Sequence, residues 1–190
     1  IVDDRVADRF VTAFAKGVAK LKIGDPMDRE TNIGPMARAN LRDTLHGQVE
    51  RTLAAGGMLV TGGHPIDGPG FVYAPTIIDH VMPNMVAACE ETFGPVAAII
   101  RVKGTEEAIR LANATEFGLG CALWTSNVEE GLRLSREIEA GAVFINGMVA
   151  SDARLPFGGI KRSGYGRELG VYGIREFTNI KTVWVGPART

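Results

Sequence analysis

Leu155-Pro156-Phe157-Gly158-Gly159-Ile160-Lys161-Arg162-Ser163-Gly164-Tyr165-Gly166-Arg167-Glu168 sets four glycines within nine positions. Glycine tolerates positive φ and admits close backbone approach, so this density marks a shaped loop. Ser163 and the Arg167-Glu168 pair lead into a helix expected to run through Leu169 and Ile174. A flexible turn between two elements is the other reading that spacing alone leaves open. Nucleotide-loop patterns do not fit. The chain holds no Gly-x-x-x-x-Gly-Lys-Ser/Thr string. Gly164-Tyr165-Gly166 is followed by Gly170, one residue too late for the dinucleotide fingerprint, and no strand directly precedes it.

Working outward, strands and helices alternate before this loop. Val96–Val102 is an apolar run with little alternation, as in a strand covered on both faces. Thr105-Glu106-Glu107 opens a helix. Cys121–Thr125 is the next strand, Asn127 caps a helix through Leu132, Leu134 and Ile138, and Ala142–Asn146 is a further strand. This order implies an α/β fold, a parallel-type sheet with helices on both faces. Functional groups gather at the carboxyl ends of such strands, where Asn146 and the loop after it fall.

Further upstream, Asp4 is placed to cap a helix striped by Val6, Phe10, Phe14 and Val18, which Gly24-Asp25-Pro26 stops. A second helix is expected over about 37–55, from Leu41, Leu45, Val49 and Leu53. Met58–Thr61 reads as a strand and Phe71–Ile78 as an extended stretch in which Pro75 marks an edge or a break. Phe177–Val185 is a β-rich tail. No linker divides the chain.

The 190 residues are 45% hydrophobic and 23% charged, with net charge −1, enough for one sizeable core. Without a basic face, nucleic acid and anionic membranes are poor partners. No apolar run reaches the about 18 residues of a membrane span, and Ile1-Val2-Asp3-Asp4 does not read as a secretory signal. Two cysteines, Cys89 and Cys121, without a Cys-x-x-Cys, argue for a reducing, cytoplasmic setting. His46, His64 and His80 lack metal-ligand spacing, so no metal site is expected and all three are read as surface or loop residues.

Residue for residue, the glycine-rich stretch resembles the C-terminal signature of the aldehyde dehydrogenase superfamily, Pro-Phe-Gly-Gly-x-Lys-x-Ser-Gly-x-Gly-Arg-Glu. Glu90-Glu91-Thr92-Phe93-Gly94-Pro95-Val96 resembles a second family block. Gly24-Asp25-Pro26-Met27-Asp28, followed by Gly34-Pro35, resembles a third. The three stand in the family's order over nearly the whole chain. The resemblance implies oxidation of an aldehyde to an acid with NAD or NADP. A cysteine thiolate attacks, hydride leaves to the nicotinamide, and water activated by a glutamate releases the product.

The same resemblance assigns site residues. Glu91 matches the carboxylate that holds the nicotinamide ribose, with a solvated glutamate at a helix end as the alternative. Phe93 matches the aromatic beside the nicotinamide, or else packs in the core. Phe157 matches the aromatic of the substrate channel, or anchors its loop. The segment Gly147–Arg154 is worded like that of bacterial succinate-semialdehyde dehydrogenases. Ser151, six residues before Phe157, stands where that subfamily holds the remote carboxylate, and Arg154 is a second candidate. Asn146 matches a strand-end asparagine, read as structural. Lys161, Arg162 and Arg167 are read as stabilising the loop or contacting partners.

No catalytic residue is assigned within the chain. Cys89 precedes Glu90-Glu91, whose carboxylates disfavour a thiolate, and Cys121 lies in an apolar strand. The resemblance places the nucleophile shortly before the Ile1-Val2 segment, outside these residues, together with the base glutamate, the asparagine oxyanion donor and the cofactor domain. The expected organisation is therefore a partial catalytic domain over 1–176 and an oligomerisation strand and tail over 177–190. This would be a segment inactive by itself, within a homodimer or homotetramer acting on a small aldehyde. A non-catalytic, stand-alone assembly or binding domain of the same descent is the alternative. An unrelated α/β binding module would need three ordered motif matches by accident.

Overall fold

A computed structural model describes residues 1–187, which form two compact units. The first, Ile1–Leu111, runs β1 (Val2–Asp3), α1 (Asp4–Val18), α2 (Ala39–Ala54), β2 (Met58–Thr61), β3 (Thr76–Asp79), α3 (Val86–Cys89), β4 (Val96–Ala98) and β5 (Arg101–Val102). α4 (Thr105–Asn113) crosses the division, which thus falls inside a helix and not in a linker. The second unit, from Ala112, holds β6 (Phe117–Gly118), β7 (Gly120–Leu123), α5 (Val128–Leu134), β8 (Ala142–Ile145), β9 (Ile160–Lys161) and α6 (Gly170–Glu176).

In the first unit the sheet order is β2-β3-β4, antiparallel then parallel. All four residues of β3 are buried. Against it lie Leu45 and Val49 of α2, with Tyr73, Val81 and Met85 completing the core. The apolar residues of α2 recur every fourth position, so one face meets the sheet. Pro75 directly precedes β3, the central strand, so it marks a break and not an edge; a missing N–H is tolerated before the ladder begins.

Two expectations shift. The cap of α1 is Asp3, whose Oδ1 accepts the Arg5 amide at 2.9 Å, and Asp4 is already in the first turn. The stretch Val96–Val102 is not one strand. β4 pairs with β3, and β5 pairs in parallel with β1. The exchange of partners falls at Ile99-Ile100: Ile99 N–H donates to Ile78 O at 2.8 Å, while Ile100 O accepts from Val2 N–H at 2.8 Å. The fold is α/β with mixed sheets.

In the second unit β7 and β8 pair in parallel from Gly120↔Ala142 to Leu123↔Ile145, with α5 between them. Asn127 caps α5, its Oδ1 accepting the Glu130 amide at 3.1 Å, and the helix ends at Leu134, short of Ile138. β9 pairs antiparallel with β6 and draws the glycine-rich loop onto the unit. α6 starts at Gly170, with Leu169 as N-cap at φ 63°. The expected tail strand forms no ladder among the described residues: residues 178–187 carry no regular element, and Ile180, Val183, Trp184 and Val185 are exposed. A strand needs a neighbour to satisfy its backbone. The tail's last three residues, 188–190, lie outside those described.

Candidate functional site

In the first unit the chain leaves α3 at two adjacent carboxylates that meet different fates. Glu90 is tied to α2: Gln48 Nε2 donates to its Oε2 at 3.0 Å, and both Arg51 terminal nitrogens reach it at 3.2 Å. The Gln48 hydrogen bond, then Arg51, holds the Glu90 carboxyl below its ordinary range. Glu91 is exposed, and among the described residues nothing pairs with its carboxylate; only its backbone oxygen is held, by Gln48 Nε2 at 3.1 Å. Phe93 is 70% exposed, so it is no core residue of this chain. At Gly94 the backbone comes so close to α2 that a Cβ would lie 2.4 Å from Leu45 Cδ2. A fixed backbone thus presents a carboxylate and an aromatic ring outward. Two acceptor oxygens beside a ring fit a ribose diol and the face of a nicotinamide.

In the second unit the glycine-rich stretch is a closed, pinned loop. Phe157 and Glu168 exchange both backbone hydrogen bonds at 2.8 Å. Gly158 passes so close to Gly141 that a Cβ on Gly141 would lie 1.7 Å from the Gly158 oxygen. Gly164 and Gly166 turn the chain at φ 106° and 82°. Ser163 Oγ accepts the Gly118 amide at 3.0 Å. Arg167 Nη1 donates to the oxygens of Gly159 and Gly166 at 2.9 and 2.6 Å. Lys161 Nζ donates to Asn113 O at 2.7 Å and pairs with Glu139 at 2.6 Å. Arg162 pairs with Glu116 and lies 6.0 Å from the Phe117 ring. The three cations therefore fix the loop, as their positions in the sequence suggested, and the reading as a flexible turn does not hold.

The pinned loop places Phe157 on a cavity of about 460 Å³, shared with Phe144, Ile145, Ala150, Asp152 and Leu155. Arg154 lines a separate cavity of about 620 Å³ against Leu169, Ile174 and Phe177. Ser151 is exposed and lines neither of the two. Arg154 is held by Asp152: Nε donates to Oδ1 at 2.9 Å, Nη2 to Oδ2 at 2.6 Å, and the Arg154 amide to Oδ1 at 2.9 Å. The arginine holds the Asp152 carboxyl below its ordinary range. Sequence reasoning passed over Asp152, although an acid two residues before an arginine in a loop is a visible signal of such a pair.

The sequence profile described as the aldehyde dehydrogenase family matches residues 1–183. The chain belongs to that family. A succinate-semialdehyde dehydrogenase [NADP(+)] of Mycobacterium ulcerans is 51% identical over 181 residues, covering 95% of this chain and 40% of the relative. A succinate semialdehyde dehydrogenase [NAD(P)+] of Escherichia coli is 50% identical over 184 residues, covering 97% and 40%. Among solved structures, the Streptococcus pyogenes succinic semialdehyde dehydrogenase with NADP+ superposes with a TM-score of 0.94 at 40% identity, over 98% of this chain and 41% of that one. The chain spans about 40% of the length of the curated relatives it matches.

An aldehyde dehydrogenase needs an activated thiolate. Cys121 is half-buried, and burial pushes its thiol up. Cys89 is exposed and its Sγ donates to Pro83 O at 3.0 Å. Neither is placed as a nucleophile beside a base. Asn146, at φ 54°, bonds both ways to Thr125: its Oδ1 accepts the Thr125 amide and its Nδ2 donates to the Thr125 oxygen, each at 2.8 Å. It ties the ends of β7 and β8 together, a structural task. His46 sits on α2, half-buried, with Nδ1 3.1 Å from the Tyr73 hydroxyl.

Proposed function

We propose that these residues are the C-terminal, catalytic-domain portion of an NAD(P)-dependent aldehyde dehydrogenase that oxidises succinate semialdehyde to succinate. The observation that carries this reading is 51% and 50% identity, across nearly the whole chain, with relatives named for that substrate. Residues 1–176 belong to the catalytic domain. Residues 177–190 pair with a second copy in a homodimer or homotetramer, a reading supported by the exposed Ile180, Val183, Trp184 and Val185. The enzyme works in the cytoplasm.

Glu91 holds the nicotinamide ribose hydroxyls and Phe93 lies beside the nicotinamide. When bound, NAD(P)+ accepts the hydride. Phe157 lines the aldehyde channel, while Ser151 and Arg154 receive the remote carboxylate. Arg154 does so by exchanging its bonds to Asp152 for bonds to the substrate, like for like in charge and geometry. The nucleophilic cysteine, the base and the cofactor domain lie in the part of the relatives' length that these residues do not span. The segment alone therefore turns over no aldehyde.

Steady-state kinetics of the full-length enzyme with both cofactors tests this. Succinate semialdehyde should give a higher kcat/KM than butanal, the same carbon chain without its carboxylate. Equal values overturn the substrate assignment. Turnover by the 190 residues alone overturns the division of labour.

A further inference from the structure

Gln48 is a polar side chain in an apolar place. It is 5% exposed, next to Val49 on the core face of α2. Buried amides are kept where their hydrogen bonds are met. Both Nε2 hydrogens go to consecutive residues after α3: the Glu90 carboxylate at 3.0 Å and the Glu91 backbone oxygen at 3.1 Å. One turn further along α2, the fully buried Thr52 donates its Oγ1 hydrogen to Gln48 O at 2.8 Å and accepts the Ala87 amide at 3.1 Å. Arg51 grips Glu90 with two nitrogens. Three neighbouring side chains of one helix therefore hold residues 87, 90 and 91.

We infer that Gln48 is a positioning residue for Glu91, setting the carboxylate that binds cofactor without touching cofactor itself. The inference rests on the proposed ribose role of Glu91. The clamp does two things. It immobilises the Glu91 backbone, so less ordering remains to be done when the ribose arrives. It also neutralises Glu90 against Arg51, so the neighbouring anion repels neither Glu91 nor an anionic cofactor.

The test measures cofactor dissociation constants for the full-length enzyme by titration with NAD+ and NADP+. Gln48→Met keeps the length of the side chain and removes the amide. It should raise the cofactor Kd about fivefold, the worth of one net hydrogen bond, with kcat at saturating cofactor unchanged. Glu91→Gln should raise Kd by itself, and Gln48→Met should add nothing in that background, because one acts through the other. If Glu91→Gln raises Kd while Gln48→Met leaves it at the parent value, the positioning role is overturned and the ribose reading stands. Independent, additive effects also overturn it. An unchanged Kd for Glu91→Gln overturns the ribose reading itself. Should Gln48→Met fail to fold, the exposed Glu90→Ala carries the test: about a twofold rise is expected, and an unchanged Kd overturns the inference.

Discussion

Replacing Gly141 with Ala probes the joint on which the glycine-rich loop rests. Gly141 directly precedes β8. A Cβ there would lie 1.7 Å from the Gly158 oxygen, 2.8 Å from its carbon and 3.1 Å from Gly159 Cα. All three are backbone atoms, so no rotamer change relieves the overlap. The two chains must part by roughly 1 Å, which strains the site in the manner of an overpacked core and costs about 3 kcal/mol. The displacement does not stay local. Gly141 N–H donates to Gly118 O at 2.9 Å, and Gly118 N–H donates to Ser163 Oγ at 3.0 Å, so the far side of the loop moves as well. Phe157 adjoins Gly158, so KM for the aldehyde should rise too. In a urea titration followed by circular dichroism, the midpoint should fall by about 1.5 M at an m-value of about 2 kcal/mol/M. Gly47→Ala is the matched control. It lies within α2 with nothing near its missing Cβ, and should stabilise by about 0.8 kcal/mol. A Gly141→Ala protein with the parent's midpoint would refute the packing argument, whatever its activity.

Other expectations follow from the charged and polar pairs. Arg101→Met strands the buried Asp79, which accepts from Arg101 Nη2 at 2.6 Å and Nε at 3.1 Å, and should cost about 4 kcal/mol near neutrality. Arg101 holds the Asp79 carboxyl below its ordinary range, so this stabilisation is present above the unfolded pKa of about 3.9 and fades as pH falls below it. Urea midpoints of parent and variant should converge in acid; an equal gap at neutral and acid pH contradicts the account. Burial pushes the Tyr73 hydroxyl up to about 12, so folding stability is complete below the unfolded value of about 10 and is lost as pH rises through 12. Tyr73→Phe should flatten that alkaline limb at a neutral-pH cost of about 1 kcal/mol, and an unchanged limb assigns it elsewhere. Ser151→Ala should raise KM for succinate semialdehyde far more than for butanal; equal rises remove Ser151 from carboxylate binding.

Much of the fold was legible where one periodicity decides it. α2 was expected over about 37–55 and runs Ala39–Ala54, because its apolar positions recur at four-residue spacing against a single sheet. The stretch Val96–Val102 was misread as one strand because hydropathy reports that a segment is covered, not by what. Its division into β4 and β5 is imposed by two other strands, β3 on one side and β1 on the other. The tail shows the converse: Ile180, Val183 and Val185 have strand chemistry, but a ladder needs a second strand, and none pairs with them among the described residues.

The candidate site turns on partners distant in sequence, for a related reason. Sequence presents Glu90-Glu91 as two like carboxylates. What separates them is Arg51 and Gln48, 39 and 42 residues from Glu90, which take its carboxylate and leave the Glu91 carboxylate unpaired among the described residues. The Asp152–Arg154 pair is the local counterpart, and in the proposed reading it bears on substrate choice. The Arg154 side chain is 86% exposed, so the ion pair is worth under about 1 kcal/mol and opens readily. Under the proposed carboxylate role of Arg154, an incoming carboxylate would replace Asp152 at little net cost, while an uncharged aldehyde would give Arg154 no reason to leave it. Discrimination by such an exchange depends on exposed charges and is screened by salt. KM for succinate semialdehyde should therefore climb with ionic strength while KM for butanal stays level. Asp152→Asn should lower the succinate semialdehyde KM by freeing the arginine. A rise in that KM would mean that Asp152 holds Arg154 in its working position and does not compete for it.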